Sequence, residues 1–272
     1  MPAYERVVEL AGGGDLAARM LSLYRPPPYL AACSQGVWTR EEGPALVRNY
    51  DYSPSRLEGI AWHTRLLGGM RVIGMSDCLW GLLDGMNDAG LAVSLTFGGR
   101  RVLGDGFGIP IVVRYLLETC ATVGEARVTL ARLPFSLSHN LTLVDRSGEV
   151  LTAYLSPDRE PIFRPFPVAT NHQGIVEWPE QAKATKTVER EHLIVGLLDD
   201  PGTTPTSFVD AFLRDPLFST AYESGFGTLY TAEYRPVVGA IAYRWPAFEW
   251  RLGFDAFIED LHTEVLAEGS VA

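Results

Sequence analysis

Strand-like segments follow one another without intervening helices over residues 33–97, and this grouping limits the fold more than any other feature. The segments are short, apolar or alternating in polarity, and separated by Gly, Pro, Asn and Asp. Residues 110–132 then have helical spacing with a break near "ATVGEA", and strand patterns return at 140–155 and 228–246. Because strands and helices come in blocks, we predict an α+β domain with mostly antiparallel sheets rather than a parallel Rossmann-type sheet.

Four further segments complete the prediction. Residues 166–173 fit a strand ending in a polar turn, 181–198 and 205–213 fit helices, and the tail from 254 fits a short helix.

Prolines set the N-terminal segment apart. The apolar spacing over residues 4–24 is interrupted by "GGG" at 12–14, which predicts two short helices or one broken helix. The sequence "RPPPY" at 25–29 then ends any helix and extends the chain. Residues 1–28 are therefore interpreted as a leader.

Composition narrows the class of protein. Of the 272 residues, 47% are hydrophobic and 21% charged, which is typical of a globular chain and excludes a disordered one. The net charge of -10 argues against nucleic acid or an anionic membrane as the main partner. The N-terminus lacks the basic start and apolar run of a signal peptide, and no apolar run approaches the roughly 20 residues that span a bilayer. A cytoplasmic protein with no nucleic acid and no membrane partner is predicted.

The three cysteines do not form a disulfide framework, since their number is odd and small for this length. There is no CxxC pair and the five histidines are scattered, so no zinc site is predicted. Cys78 and Cys120 lie in apolar surroundings and are interpreted as buried hydrophobic residues.

Cys33 differs, because it follows the proline-rich break and opens the first predicted strand. Arg48 and Asp51 lie on the next strand-like segment, and a turn near "REEGP" would bring both beside Cys33. Taken alone, Arg48 and Asp51 could equally form a surface ion pair. Asn49 between them is interpreted as a structural hydrogen-bonding residue.

These residues resemble a known family. The pattern "C…GPALVRNYDY" is similar to the nucleophile and Arg-Asn-x-Asp segment of N-terminal-nucleophile amidases. Among these amidases, the sequence resembles the choloylglycine hydrolase and penicillin V acylase group and, more closely, the related acyl-CoA:6-aminopenicillanic acid acyltransferase family. Further segments resemble the family in the same order: "GMNDAGLAVSLTF" at 85–97, "NLTLVDRSGEV" at 140–150, "VATNHQ" at 168–173, "TKTVERE" at 185–191 and "TLYTAEYRPVVGAIAYRW" at 228–245.

The resemblance implies a four-layer αββα sandwich whose nucleophile becomes the N-terminal residue after self-cleavage. In this sequence the cleaved bond would join Ala32 to Cys33, which divides the chain into a leader or propeptide, 1–32, and a domain, 33–272. A free α-amino group has a pKa near 8 and can take the thiol proton directly or through water. A histidine partner for Cys33 is then not required.

The resemblance also assigns roles around the nucleophile. Cys33 Sγ would attack an amide or thioester carbonyl, with its own amine as base and later as acid. Asp51 would hold that amine, while Arg48 would stabilise the thiolate and orient Asp51.

Three more residues complete the implied site. Asn171 matches the asparagine of the oxyanion hole. Thr96 is assigned as the second oxyanion donor, at a place where bile-salt hydrolases carry asparagine. Arg190 matches a downstream arginine that orders the site. Individually, Asn171 would be a turn residue and Arg190 an exposed helix residue.

The expected activity is that of an amidase or acyltransferase acting through a thioester acyl-enzyme on Cys33. Water as acceptor gives hydrolysis and an amine gives acyl transfer, and the sequence does not separate them because they share the first half-reaction. The family-level expectation is a small-molecule substrate, a linear amide or acyl thioester with an apolar acyl group, and no metal or organic cofactor. Assembly into a homo-oligomer is left open.

Two other hypotheses remain. One is a protein of the same fold that is not processed, does not catalyse, and has a binding or structural role. The other is a conventional cysteine hydrolase in which His63, His139 or His172 pairs with Cys33.

Overall fold

The computed structural model of the chain describes residues 2–28, 31–67 and 69–266. The helices are α1 (Pro2–Leu10), α2 (Gly14–Ser22), α3 (Ile109–Thr119), α4 (Val123–Leu130), α5 (Pro179–Ala184), α6 (Thr187–Asp199) and α7 (Pro205–Ala211), with short 3-10 helices at Pro54–Arg56 and Tyr222–Ser224. The strands are β1 (Ala32–Trp38), β2 (Ala45–Tyr52), β3 (Ala61–Thr64), β4 (Val72–Asp77), β5 (Gly81–Asn87), β6 (Ala92–Phe97), β7 (His139–Val144), β8 (Val150–Ser156), β9 (Arg159–Arg164), β10 (Val168–Ala169), β11 (Gly227–Arg235), β12 (Ala240–Trp245) and β13 (Phe248–Gly253).

The strands form two antiparallel sheets. A six-stranded sheet has the order β10-β1-β2-β11-β12-β13, and a seven-stranded sheet runs from β3 to β9 in chain order. Helix α3 packs on β5 and β6 of the larger sheet, while α6 packs on β1 of the smaller one. The main apolar core includes residues of both sheets and of α3, and a second core lies between β1, β2 and helices α6 and α7. The predicted αββα sandwich is confirmed.

The first two strands form the hairpin that the sequence predicts. The register pairs Cys33 with Tyr50 and Gln35 with Arg48. Because side chains alternate along a strand, Cys33, Arg48 and Tyr50 share the face toward the second sheet, whereas Asp51 points to the opposite face, toward α6. The single hairpin therefore delivers functional groups to two different layers.

Close packing of α6 and α7 onto this hairpin depends on Gly36 in β1. A Cβ there would lie 2.7 Å from Ile194 Cγ2 and 2.9 Å from Phe208 Cζ, which is closer than side chains pack. The glycine therefore lets the helical layer approach the strand that begins with Cys33.

Several element predictions hold and others need correction. The break in the 110–132 helical region is confirmed by the gap between α3 and α4, and the region 181–198 forms two helices, α5 and α6. Strands β9 and β13 were not predicted; β9 alternates between half-buried and exposed residues and contains Pro161, which suits an edge strand. The predicted helix in the tail is wrong for residues 254–266, where Phe254 and Phe257 instead pack against the core.

No helix within the described ranges has the length and apolar character that crossing a bilayer requires.

His139 in β7 gives the fold a predicted sensitivity to acid. Burial lowers its pKa from 6.5 to about 4, although a hydrogen bond that the ring donates to the Leu137 backbone acts in the opposite direction. As pH falls from 6.5 to 4 the unfolded chain binds this proton and the folded chain does not, so the free energy of unfolding should fall by about 3 kcal/mol. Urea denaturation at stepped pH should show this loss in the wild type and a weaker one in His139→Gln.

A matched control uses Asp77, whose pKa burial raises from 3.8 to about 6. Its folded form keeps a proton between these values that the unfolded form releases, so it gains stability as pH falls. Asp77→Asn should therefore steepen the acid loss. Equal pH slopes for wild type and His139→Gln would contradict the assignment.

Candidate active site

The Cys33 thiol is buried where β1 begins, directly against an arginine. Its Sγ lies 3.3 Å from Arg48 Nη2 and is fully shielded from solvent. Burial raises the pKa of the thiol to about 12, even though the Arg48 charge and a backbone hydrogen bond from Asp51 both lower it. The thiol is therefore protonated at neutral pH in this structure, with the Arg48 guanidinium in contact with it.

The backbone nitrogen of Cys33 is held by Asn171. The Cys33 N–H donates to Asn171 Oδ1 over 3.0 Å, and Asn171 Nδ2 donates to the Phe97 carbonyl over 3.2 Å. The Asn171 backbone is fixed separately, because its N–H donates to Thr187 Oγ1 over 2.6 Å. The side chain of Asn171 thus contacts the peptide bond that joins Ala32 to Cys33.

A glycine pair at the end of β6 makes room for Asn171. Gly99 has φ +71°, and a Cβ there would lie 2.3 Å from the Asn171 carbonyl oxygen. A side chain at this position would clash with backbone as well as strain it. The sequence "FGGR" therefore allows the end of β6 and the Asn171 segment to meet beside the Cys33 amide.

Arg48 is fully buried between the two sheets. Nη1 donates to Asp84 Oδ2 over 2.7 Å and Nη2 donates to the Leu95 carbonyl over 2.9 Å. The structure differs here from the expectation that Arg48 orients Asp51. The two residues are three apart on one strand, so their side chains leave opposite faces of the sheet.

Arg190 of α6 takes the place beside Asp51 instead. Its Nη1 forms an ion pair with Asp51 Oδ2, and its Nε donates to the Pro216 carbonyl over 2.7 Å. Thr228 Oγ1 of β11 donates to the other oxygen, Asp51 Oδ1, over 2.6 Å. Asp51 is thereby fixed behind Cys33, on the helical side of the six-stranded sheet.

The Thr96 hydroxyl bonds to the residue before Asn171 and to Asn140. The hydroxyl donates to the Thr170 carbonyl over 2.8 Å and accepts from Asn140 Nδ2 over 3.1 Å. The structure therefore brings together five of the predicted site residues: Cys33, Arg48, Asp51, Asn171 and Arg190. The Thr96 hydroxyl bonds to Thr170, the neighbour of Asn171, and not to these five residues.

Sequence reasoning missed the residues that form hydrogen bonds with Arg48, Asp84, Asp51 and Asn171. They are Asp84, Tyr230 and Tyr234 around Arg48, Thr228 on Asp51 and Thr187 on Asn171. A usable signal existed for three of them. Asp84 is a carboxylate within the apolar run "GLLDGMN", and Tyr230 and Tyr234 recur at even spacing in a strand, which puts them on one face.

The three histidines considered as partners of Cys33 contact other groups. His63 packs against Phe254 and Phe257, and His139 stacks edge-on with Phe97. His172 Nε2 lies 3.3 Å from Glu191 Oε1. The charged groups that act on the Cys33 thiol are Arg48, Asp51 and Arg190.

Within the described part of the chain, no cluster of three or more His, Cys, Asp or Glu residues could hold a metal ion.

The leader packs against the domain. Trp80 Nε1 donates to the Leu21 carbonyl over 2.7 Å, and the backbones of Leu23 and Arg25 bond to those of Gly108 and Gly106. A mostly apolar cleft of about 540 Å³ lies between the leader and the domain. Its walls include Leu23, Pro26, Tyr52, Asp77, Leu79 and Pro110.

Comparisons with solved structures show the same fold. The penicillin V acylase from Agrobacterium tumefaciens aligns with a TM-score of 0.57 and 15% identity over 88% of this chain and 90% of that chain. The Caenorhabditis elegans ortholog of N-acylethanolamine-hydrolyzing acid amidase aligns with a TM-score of 0.55 and 15% identity over 75% of this chain and 93% of that chain. Among curated protein sequences, none matches the chain.

A family model gives the stronger result. Residues 38–250 match the model described as acyl-coenzyme A:6-aminopenicillanic acid acyl-transferase, in a range that begins after Cys33 and includes Arg48, Asp51, Asn171 and Arg190. Since this range covers most of the sequence, the chain belongs to the acyl-coenzyme A:6-aminopenicillanic acid acyl-transferase family.

Proposed function

We propose that the protein is an amide hydrolase or acyltransferase that uses Cys33 as its nucleophile and activates itself by cleaving the Ala32–Cys33 bond. Family membership supports the general activity. The observation that carries the proposal is that Cys33 is contacted at two atoms. Its sulfur lies 3.3 Å from Arg48 Nη2 and its nitrogen lies 3.0 Å from Asn171 Oδ1. In the proposed cleavage of the Ala32–Cys33 bond, the sulfur is the attacking atom and the nitrogen is the leaving atom.

Self-cleavage would proceed by attack of Cys33 Sγ on the Ala32 carbonyl carbon. The carbon–sulfur bond forms, the carbon–nitrogen bond breaks, and the thiol proton ends on the Cys33 nitrogen that leaves. Water then hydrolyses the thioester, which releases the Ala32 carboxyl group and restores the thiol. The step needs no external reactant except water.

Cleavage changes the acid–base chemistry of the site. The new α-amine of Cys33 has an ordinary pKa near 8 and can accept the thiol proton at neutral pH. Arg48 stabilises the resulting thiolate, and the Asp51 carboxylate favours the ammonium form of the amine. Asn171 Nδ2 then serves the oxyanion of the tetrahedral intermediate.

The proposed substrate is a linear amide or acyl thioester with an apolar acyl group. The similar structures are, by name, an acylase of penicillin V and an amidase that hydrolyses N-acylethanolamines. The domain surface that the leader covers includes Tyr52, Leu79 and Pro110, and its apolar character supports an apolar acyl group. Water as acceptor gives hydrolysis, and an amine acceptor gives acyl transfer.

Intact-mass analysis of protein from expressing cells tests the proposal. The wild type should yield fragments 1–32 and 33–272, whereas Cys33→Ala should keep the full mass because it lacks the attacking sulfur. Cys120→Ala is the matched control, since Cys120 is equally buried but lies at the end of α3, and it should be cleaved like the wild type.

The same samples decide against the unprocessed alternative. Cleaved wild type should turn over a chromogenic acyl amide and be inactivated by one equivalent of thiol reagent on Cys33. An uncut wild type whose Cys33 resists labelling would reject self-cleavage and favour a non-catalytic role.

A further inference from the structure

A buried carboxylate stands behind the Arg48 guanidinium. Asp84 lies in β5 of the seven-stranded sheet and is fully buried, as is Arg48 in the six-stranded sheet. Arg48 Nη1 donates to Asp84 Oδ2 over 2.7 Å, while Arg48 Nη2 faces Cys33 Sγ at 3.3 Å. The pair therefore joins the two sheets directly next to the nucleophile.

Two tyrosines complete the surroundings of this carboxylate. Tyr230 donates its hydroxyl to Asp84 Oδ2 over 2.6 Å and accepts from Arg48 Nη1 over 3.0 Å. The Tyr234 hydroxyl donates to Asp84 Oδ1. Both carboxylate oxygens of Asp84 thus accept hydrogen bonds.

The bonding leaves the guanidinium a single orientation. Nη1 is occupied by Asp84 and Tyr230. Nη2 carries two N–H groups, of which one donates to the Leu95 carbonyl over 2.9 Å and the other points at the Cys33 sulfur. If the Asp84 contact is lost, the planar group can turn and the sulfur loses its aligned donor.

The buried positive charge of Arg48 also requires a nearby anion, and Asp84 provides it. Taking a guanidinium out of water is costly unless an anion compensates it, and Asp84 is the carboxylate that forms an ion pair with Arg48. Asp51 cannot serve, since it lies on the opposite face of β2 in the pair with Arg190.

We infer that Asp84 is a positioning residue for the reaction, which fixes the Arg48 guanidinium so that it stabilises the Cys33 thiolate. The inference rests on the proposed function of Cys33. It adds a second buried ion pair to the site, with Asp84–Arg48 acting on the sulfur and Asp51–Arg190 lying behind the amine.

The test compares full-length Asp84→Asn and Asp84→Glu with wild type. Asp84→Asn removes the charge but keeps the size, so kcat per titrated active site should fall by about 10²-fold, as displacements of about 1 Å can cause. KM should stay unchanged, because Asp84 lies behind the arginine and away from the substrate side. The pKa of Cys33 in the cleaved enzyme, read from the pH dependence of iodoacetamide alkylation, should rise. Asp84→Glu should recover part of both quantities.

Two further variants keep the test decisive. Asp88→Asn is the control, since Asp88 follows the same strand but pairs with Arg71 near the surface, and it should behave like wild type. Tyr234→Phe removes one donor to Asp84 and should shift the alkylation pKa in the same direction by less. If Asp84→Asn does not fold, an unshifted pKa in Tyr234→Phe overturns the inference.

The outcomes separate the inference from the proposed function. Active wild type together with Asp84→Asn of equal kcat and equal alkylation pKa overturns the role of Asp84 alone. A wild type that is neither cleaved nor active overturns both.

Discussion

Replacing Asn171 with alanine is expected to lower kcat by about 10²- to 10³-fold, the loss that follows removal of one oxyanion-hole donor. The Asn171 side chain contacts the Cys33 amide at 3.0 Å, while its backbone is held independently by Thr187 Oγ1 at 2.6 Å. The truncation therefore removes the amide group without releasing the segment. Turnover of a chromogenic acyl amide per titrated active site measures the loss, and the rate of self-cleavage should fall with it.

Thr96 provides the comparison, since it remains our sequence-based prediction for the second donor. If its hydroxyl serves the oxyanion, Thr96→Val lowers kcat by about the same factor. If it serves to hold Thr170 and Asn140, to which it bonds in the uncut chain, the variant loses about 1–3 kcal/mol of stability with little change in kcat. An Asn171→Ala enzyme with kcat within about threefold of wild type would remove Asn171 from the oxyanion hole.

Contacts between residues that are close in sequence could be predicted at this site. Alternating polarity and the turn at "REEGP" predict the β1–β2 hairpin, and the observed register pairs Cys33 with Tyr50 and Gln35 with Arg48. Such pairing depends on residues close along the chain, so local patterns suffice to predict it. The order of short family-like segments added Asn171 and Arg190, which local patterns alone describe as a turn residue and a helix residue.

The partners of the buried charged residues could not be predicted from local sequence patterns. Arg48 and Asp51 look like partners because they are close in sequence, yet Arg48 binds Asp84 on another sheet and Asp51 binds Arg190 on a helix. The pairing depends on which face of β2 meets which layer, and that is set by the packing of the whole sandwich. Strand alternation places Arg48 and Asp51 on opposite faces and so argues against the pair that we considered from the sequence, but it could not supply the actual partners.

The contacts of the leader with the domain could not be predicted from the sequence either. The prolines at 26–28 mark where the leader ends, but no sequence pattern indicates that the leader packs against Trp80. In the folded chain Trp80 donates to the Leu21 carbonyl and stacks with Tyr4. These contacts join segments that are far apart in sequence, and Trp80 serves as a docking point for the leader.

The pair between Asp51 and Arg190 carries the largest expected effect on stability. Arg190→Ala leaves the fully buried Asp51 carboxylate with Thr228 as its remaining side-chain hydrogen-bond partner among the described residues. Removing one member of a buried ion pair costs about 3–5 kcal/mol, because the other charge stays desolvated and uncompensated. Urea denaturation of Arg190→Ala in a Cys33→Ala background, which keeps every chain uncut, should show this fall in the free energy of unfolding.

A double-mutant cycle distinguishes loss of the charge pair from loss of packing. Asp51→Asn alone leaves the Arg190 cation unpaired, whereas Asp51→Asn with Arg190→Ala leaves no charge in the buried site. The double variant should therefore be destabilised by clearly less than the sum of the singles, with a coupling energy of about 1–3 kcal/mol. Lys186→Ala serves as the surface control, since its pair with Asp215 at the start of the same helix is largely exposed and should contribute less than about 1 kcal/mol. Additive effects of the two buried substitutions would mean that Arg190 stabilises the chain through packing and its bond to Pro216, and not through the charge of Asp51.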